Sequence, residues 1–204
     1  MSKKLSVLLL IIIGLFLFYW FQLKPTPNSS STSQPTNLTK QKTEEIDYLQ
    51  TYIPKDSKSG SCWTISNASA NDKAWRCIAG NSIHDPCFEI DTNRLVCDID
   101  PEVAGSGFVL NLTEKLPTSE HSSTSRELYW IIKLANGTKC WVNTGTADMV
   151  NGEFYYYSCD KDNAVIIGEL DKNTNLWIAN VAYLNEKWEE AQKREKIEIL
   201  KVWK

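Results

Sequence analysis

The sequence predicts a mainly β, disulfide-stapled domain that follows an N-terminal transmembrane helix. Three features of the chain predict this: an apolar N-terminal run, six cysteines that all lie beyond it, and short β-type segments separated by turn residues. We expect an antiparallel meander, folded as a small sandwich or a partly open barrel, with one or two short helices. The predicted domain, residues 60–204, is long enough to enclose one hydrophobic core.

Residues 1–23 are predicted to form an uncleaved signal anchor. Residues 5–23 are almost continuously apolar, and a helix of about 19 residues spans most of a hydrocarbon core about 30 Å thick. Lys3 and Lys4 precede the run, which places the N-terminus in the cytoplasm by the positive-inside rule. A cleaved signal peptide is the alternative, but aromatic residues end the run where small residues would mark a cleavage site.

The next two segments are predicted to connect the anchor with the domain. Residues 24–45 are rich in proline, serine and threonine, so we expect a disordered linker that holds the domain away from the membrane. Residues 46–59 form a lead-in segment. Its residues Ile46, Leu49 and Ile53 have a near-helical spacing, which is compatible with one short helix.

The six cysteines are expected to form three disulfide bonds in an oxidising compartment. The chain has no Cys-x-x-Cys motif and only two histidines, so the ligand spacing of a zinc site is missing. We therefore expect no metal and no cofactor. Many pairings are open to six cysteines, and proximity along the chain favours Cys62–Cys77, Cys87–Cys97 and Cys140–Cys159.

The first half of the domain and its C-terminus have the least regular patterns. Residues 71–79 predict a short helix and residues 108–112 a strand. Residues 186–193 are dense in Glu, Lys and Arg, which favours a short helix or a loop. Apolar and polar residues then alternate, which favours a final strand that ends at Trp203.

The second half reads as a series of strands joined by turns. Asn136-Gly137 suits a two-residue hairpin turn, which would set Ile132 opposite Trp141. Asn151-Gly152 marks a second turn of the same kind. The strands expected in this half lie at residues 128–134, 138–144, 154–158, 165–168 and 176–184.

Six short motifs follow one another in a distinctive order in the first half of the domain. They are Ser61-Cys62-Trp63, Ala74-Trp75-Arg76-Cys77, Gly80-Asn81, Asp85-Pro86-Cys87-Phe88, Val96-Cys97 and Gly107-Phe108-Val109-Leu110. With these motifs the chain resembles, over about residues 60–184, a recurring and functionally uncharacterised domain of secreted or membrane-anchored bacterial proteins. The resemblance implies a bacterial envelope protein with a shared disulfide-stapled domain. It implies no reaction, ligand or site residue.

The charge of the chain argues against a nucleic-acid partner. The whole chain carries a formal net charge of −3. Residues 61–185 contain 9 Lys and Arg against 16 Asp and Glu, or −7, and nucleic-acid affinity rests on basic side chains. The partners we expect are the membrane, through the N-terminal helix, and a cell-wall glycan or an envelope protein. The expected location is the cell membrane, with one span and the C-terminal domain outside the cytoplasm.

Candidate catalytic and metal-binding residues are few. His84 beside Asp85 is the one pair that looks like a catalytic base with its orienting acid, but no Gly-x-Ser-x-Gly elbow supplies a nucleophile. A structural turn is the favoured reading, so we name no catalytic residue. Asp98, Asp100 and Glu102 alternate as calcium ligands do, but the Asp-x-Asp-x-Asp-Gly loop is missing and solvated turn carboxylates are favoured.

Aromatic side chains are the remaining candidates for a ligand site. Most tryptophans of a small β domain fill its core and pack on its disulfides. Alternation along strands must nevertheless turn some aromatic residues outward, where a flat ring can meet a sugar. The candidates for facing a ligand are Trp141, Tyr155 and Tyr157.

Three functional hypotheses follow from the sequence. The leading one is a membrane-tethered binding or interaction module of the bacterial cell envelope. The first alternative is an extracytoplasmic cell-wall hydrolase that uses paired carboxylates as acid and base, either Asp98 with Asp100 or Asp160 with Asp162. The second alternative is a structural spacer or assembly protein.

Overall fold

The computed structural model describes residues 41–118, 129–145 and 148–204 and consists of strands joined by turns. The mainly β prediction is confirmed, and no helix occurs within these ranges. The N-terminal helix predicted at residues 1–23 lies outside them. The strands are β1 (Glu44–Ile46), β2 (Ser57–Ile65), β3 (Ala74–Ala79), β4 (Ser82–Asp91), β5 (Arg94–Cys97), β6 (Phe108–Leu112), β7 (Ile131–Leu134), β8 (Lys139–Val142), β9 (Asp148–Val150), β10 (Glu153–Cys159), β11 (Ala164–Ile167), β12 (Trp177–Leu184) and β13 (Ala191–Trp203).

The strands β2 to β6 form a closed barrel, which we call the first barrel. Neighbouring strands pair antiparallel from β2 through β6, and β6 returns to pair with β2 in parallel. Its centre is filled by aromatic and aliphatic residues and by half-cystines. Because the ring closes, these strands leave no free sheet edge for association with another chain.

The remaining strands form a second sheet that also closes. The order is β13-β12-β11-β10-β8-β7, and β13 pairs with β7 to complete a ring of antiparallel strands, which we call the second barrel. The strand β9 pairs with β10, and β1 runs parallel to the end of β13. Buried Tyr129, Ile132, Ile166, Trp177 and Ile199 belong to the cluster at its centre.

A third apolar cluster, which we call the interface cluster, lies between the two barrels. Phe88 and Val96 reach it from the first barrel, and Ile131 and Trp203 from the second, with Tyr48 from the segment between β1 and β2. The ring of Tyr48 lies 4.6 Å from that of Phe88 between centroids. The two barrels therefore share one buried interface rather than standing apart.

The three disulfide bonds join residues that face each other on neighbouring strands. Cys62 pairs with Cys77 between β2 and β3, and Cys87 with Cys97 between β4 and β5. Cys140 pairs with Cys159 between β8 and β10. These are the same pairs that proximity along the chain favours. The two agree because the paired strands are close in sequence and the cysteines occupy facing positions on them.

The register of the β7–β8 hairpin differs by one residue from the expectation. Leu134 N–H donates to the Thr138 carbonyl at 2.9 Å, so three residues form the loop instead of two. Of these, Gly137 takes a positive φ of 79°, as the third residue of such a loop commonly does. Trp141 consequently lies opposite Ile131, and the prediction that it faces Ile132 is wrong.

The short helix predicted at residues 71–79 is wrong, whereas residues 186–190 follow the loop alternative given for residues 186–193. Residues 71–79 contain β3, because pairing with β2 on one side and β4 on the other outweighs a weak local preference for helix. Residues 186–190 form turns, and the side chain of Asn185 accepts hydrogen bonds from the N–H groups of Lys187 and Glu189. The predicted final strand is present as β13.

The start of the domain lies earlier than predicted. The strand β1 includes residues 44 and 45, which the sequence assigns to the linker, and β2 begins before the predicted boundary at Gly60. Thr43 anchors this start: its hydroxyl donates to the Ile199 carbonyl and accepts from Trp177 N–H, both at 2.7 Å. The pairing of β1 with β13 is not predictable from the short polar segment around Thr43, because the partner strand lies over 150 residues away in the chain.

Candidate functional site

A cleft between the two barrels is the best candidate for a functional site. It is a cavity of about 300 Å³, at the lower end of the range of about 300–1,000 Å³ for small-molecule sites. Its walls combine three carboxyl groups with two indole rings, a mixture of polar groups and aromatic faces that suits ligand binding. The lining residues are Asp85, Pro86, Asp98, Ile99, Asp100, Trp130 and Trp141.

The Cys87–Cys97 bridge holds two walls of the cleft together. Asp85 lies on β4 two residues before Cys87, and Asp98 directly follows Cys97 at the end of β5. Asp98 has a φ of 55°, a left-handed conformation that aspartate and asparagine adopt more readily than most residues. The carboxyl-bearing wall is thus built from a covalently joined pair of strands.

Asp85 is an internal carboxyl group of this wall. The Ser66 hydroxyl donates to its Oδ1 at 2.5 Å, Asn67 N–H donates to its Oδ2 at 3.2 Å, and Arg76 Nη1 lies 3.5 Å from Oδ2. Its side chain is fully buried. Burial raises the pKa of Asp85 above the ordinary value of 3.8, although these three partners act in the opposite direction.

Arg76 also connects the barrels beside the cleft. Its Nη1 donates to the backbone carbonyl of Thr144 at 2.7 Å, and Thr144 follows β8 of the second barrel. A guanidinium group that bridges Asp85 to the backbone of the other barrel restrains the position of one cleft wall relative to the other.

Asp98 is the most accessible carboxyl group of the cleft. Its side chain is 52 % exposed, and His84 Nδ1 lies 2.9 Å from Oδ1 and 2.8 Å from Oδ2. The partner of His84 is therefore Asp98, and not the adjacent Asp85 considered from the sequence. His84 Nε2 is buried without a hydrogen-bond partner among the described residues, so no nucleophile of that part of the chain completes a triad.

Asp100 is neutralised by a lysine of the second barrel. It forms an ion pair with Lys139, and the neighbouring Glu102 lies 2.7 Å from Lys133 and 3.8 Å from Lys139. The ammonium groups of Lys133 and Lys139 thus pair with Asp100 and Glu102, which the sequence suggested as calcium ligands. Within residues 41–118, 129–145 and 148–204, no three His, Cys, Asp or Glu side chains are grouped so as to hold a metal ion.

The two tryptophans form the aromatic side of the cleft. Trp141 lies on β8 and is partly buried, whereas Trp130 directly precedes β7 and is 3 % exposed. Trp130 Nε1 has no hydrogen-bond acceptor among the described residues. An indole N–H usually finds a partner when it is buried, so this one is an unused donor in the wall of the cleft.

The other two aromatic candidates are buried and lie outside the cleft lining. Tyr155 is 7 % and Tyr157 4 % exposed, and neither lines the cleft. Tyr157 packs at the centre of the second barrel, and Tyr155 packs in an apolar cluster with Val165. A register shift in β10 between Tyr155 and Tyr157 sends the two side chains into different clusters, which simple alternation does not predict.

The second carboxyl pair considered for hydrolysis lies outside the cleft. Asp160 accepts a hydrogen bond from the backbone N–H of Lys139 at 3.0 Å. Asp162 is exposed in a turn, with a left-handed φ of 56°. Asp98 and Asp100, by contrast, both line the cleft. The folded chain thus separates the two pairs that the sequence presents as equivalent.

A larger cavity of about 430 Å³ is a weaker candidate. It is lined by residues of β10 to β13, and three of its charged side chains, Glu153, Arg194 and Glu195, already have partners. Arg194 Nη1 lies 2.5 Å from Glu153, and Glu195 pairs with Lys193. We therefore prefer the cleft between the barrels, which has an accessible carboxylate and an unused donor.

Sequence reasoning missed Asp85, Pro86, Ile99 and Trp130 as neighbours of Asp98 and Trp141. A signal for part of this set was present. Once Cys87 and Cys97 are paired, the aspartates beside them must lie close together. No comparable local signal places Trp130 there, because its position depends on how the barrels meet.

Comparisons with known proteins add no family to this picture: no family model matches the chain, nor does any curated protein or solved structure. Among the residues that the structure describes, which begin at residue 41, no helix is long and apolar enough to span a bilayer.

Proposed function

We propose that the chain is a membrane-tethered binding module of the bacterial cell envelope and that it takes its ligand in the cleft between the barrels. The observation that carries the proposal is the cleft itself, which is lined by Trp130 and Trp141 together with an accessible Asp98 carboxylate. Two supports come from elsewhere in the chain. The apolar run at residues 5–23 suits a membrane anchor, and three disulfide bonds suit an oxidising compartment.

The test is a pull-down with the oxidised full-length chain in detergent micelles. The baits are three separated envelope fractions: peptidoglycan, polysaccharide and membrane proteins. We expect retention on one fraction and its loss in Trp141→Ala. Trp188→Ala is the matched control, because Trp188 is 41 % exposed in the turn before β13 and remote in sequence from every cleft residue. Retention on none of the fractions would leave a spacer or assembly role instead.

A cell-wall hydrolase is the second candidate function. Asp85, Asp98 and Asp100 line one cleft, and a raised pKa at Asp85 beside an accessible carboxylate is the kind of contrast that acid–base pairs use. The same preparations distinguish it from binding. A hydrolase releases soluble fragments from one of the fractions, and Asp98→Asn abolishes that release while the protein stays folded.

A further inference from the structure

We infer that the cleft binds a single neutral pyranose ring, with one sugar hydroxyl on Asp98 and the C–H face of the ring on Trp141. The inference rests on the proposed binding function and names its ligand class. It follows from three requirements that the cleft imposes: a donor for a carboxylate, a flat apolar face for an indole, and an acceptor for an indole N–H.

The first requirement comes from the carboxyl groups. Asp85 is already bonded to Ser66, Asn67 and Arg76, and Asp100 to Lys139. Among the described residues, Asp98 is bonded to His84 alone, and its side chain is half exposed. The ligand must therefore offer a hydrogen-bond donor to Asp98. This carboxylate has no Lys or Arg partner among the described residues, so it disfavours phosphate and carboxylate ligands.

The second requirement comes from the aromatic wall. Trp141 is partly buried, packs against the interface cluster and lines the cleft. An indole ring offers a broad apolar surface. The C–H face of a pyranose covers such a surface while its hydroxyl groups project from the ring edge toward polar partners.

The third requirement comes from Trp130. Its Nε1 is a buried donor without an acceptor among the described residues, in a side chain that lines the cleft, so a ligand whose acceptor oxygen reaches it gains a hydrogen bond. A hydroxyl group both donates and accepts. A sugar therefore meets all three requirements, whereas a quaternary ammonium ion offers only charge and an apolar surface for the indole, with neither a hydrogen-bond donor nor an acceptor.

The cavity volume sets the size of the ligand. About 300 Å³ lies at the lower limit for small-molecule sites. One ring fills such a space, and the neighbouring units of a longer glycan extend into solvent. We accordingly expect oligomers to bind only slightly more tightly than the matching methyl pyranoside.

The experiment measures binding of defined probes to the oxidised full-length chain in micelles by saturation-transfer NMR and calorimetry. The probes are methyl glucoside, methyl galactoside, methyl mannoside and methyl N-acetylglucosaminide, with tetramethylammonium chloride as the cationic comparison. We expect at least one pyranoside to bind and tetramethylammonium not to bind. Trp141→Ala should weaken pyranoside binding about thirtyfold, as loss of a central aromatic contact does.

Asp98→Asn is the sharper variant, because asparagine suits the left-handed backbone of residue 98 and keeps the size of the side chain while the charge and one acceptor oxygen are lost. It should weaken binding roughly tenfold, the usual effect of removing a hydrogen bond to a charged group. Asp162→Asn is its matched control, since Asp162 has almost the same φ in a turn that does not line the cleft. Equal losses in both variants would overturn the assignment of Asp98.

The outcomes separate this inference from the proposed function. If no pyranoside binds, but an envelope fraction retains the chain in a manner that Trp141→Ala abolishes, the sugar assignment is wrong and the binding function stands. Binding of tetramethylammonium alone also overturns it in favour of a cationic ligand. If neither probes nor fractions bind, both proposals fail.

Discussion

Four of the nine buried residues at the centre of the first barrel are half-cystines, whereas the corresponding cluster of twelve in the second barrel contains one. The second barrel fills its centre with Tyr129, Trp177 and several aliphatic residues. The first barrel occupies only residues 57–112, and so short a segment buries little apolar surface by itself. The contrast indicates that disulfide bonds stabilise the smaller barrel, whereas apolar packing stabilises the larger one.

The two barrels nevertheless stabilise each other through the cluster between them. Phe88 of the first barrel packs against Tyr48 and against Trp130, with a ring-centroid distance of 5.3 Å to the latter. Because the site lies at this junction, its geometry depends on both barrels. We therefore expect the barrels to unfold together, and three experiments test how far each barrel depends on the other.

The largest effect is expected from Phe88→Ala. Phe88 is almost fully buried in the interface cluster, and truncation of such a side chain costs about 3–5 kcal/mol. Loss of the interface should also split one unfolding transition into two. Denaturant unfolding followed by tryptophan fluorescence and by far-UV circular dichroism measures both effects. Phe154→Ala is the control, since Phe154 is exposed and should change stability by less than about 0.5 kcal/mol. A single transition with a small loss would show that the barrels are coupled elsewhere.

The second largest effect is expected from removing a disulfide bond, and its size should differ between the two barrels. Replacement of the Cys87–Cys97 bridge by alanines should cost more than replacement of Cys140–Cys159, within about 2–5 kcal/mol, because the first barrel has the smaller core. Chain entropy alone predicts the opposite order. The spans are 10 and 19 residues, which makes the longer bridge worth about 0.6 kcal/mol more. Free energies of unfolding of the two double variants decide between core size and loop length.

The smallest effect concerns the buried carboxyl group of the first barrel. The pKa of Asp85 is raised in the folded state, so the folded protein holds this proton more tightly than the unfolded chain does. The contribution to stability is complete below the ordinary pKa of 3.8 and is lost as the pH rises through the raised pKa. Melting temperatures of the parent and of Asp85→Asn, measured from pH about 4 upward, should show the steeper decline in the parent. Parallel curves for the parent and Asp85→Asn would contradict the assignment.

Local patterns in the sequence predict the fold where the determining residues are close together. The turn at Asn151-Gly152 forms as expected, with both residues at positive φ. The Asn136-Gly137 hairpin forms as well, but its loop has one residue more than predicted. That additional loop residue shifts the pairing by one position and so changes the residue that Trp141 faces across the hairpin. The alternation of apolar and polar residues along a strand does not give the loop length, so it could not predict this shift.

The candidate site was predictable only in part. Asp98, Asp100 and Trp141 stand out in the sequence as an alternating acidic pair and an aromatic residue on a strand, and all three line the cleft. Tyr155 and Tyr157 have the same local features and are buried. Exposure depends on what packs against a strand, and that neighbour is not encoded in the strand itself.

The mainly β character, the turn positions and a set of cysteines able to bridge neighbouring strands can be predicted from the amino-acid sequence, because each depends on residues a few positions apart. The return of β6 to β2 and of β13 to β7, which closes two barrels with the cleft at their junction, emerges only in the folded chain. Local patterns do not predict this closure, because strands with similar alternation are compatible with many partners. The choice among them is made by the total apolar surface that each closed arrangement removes from water.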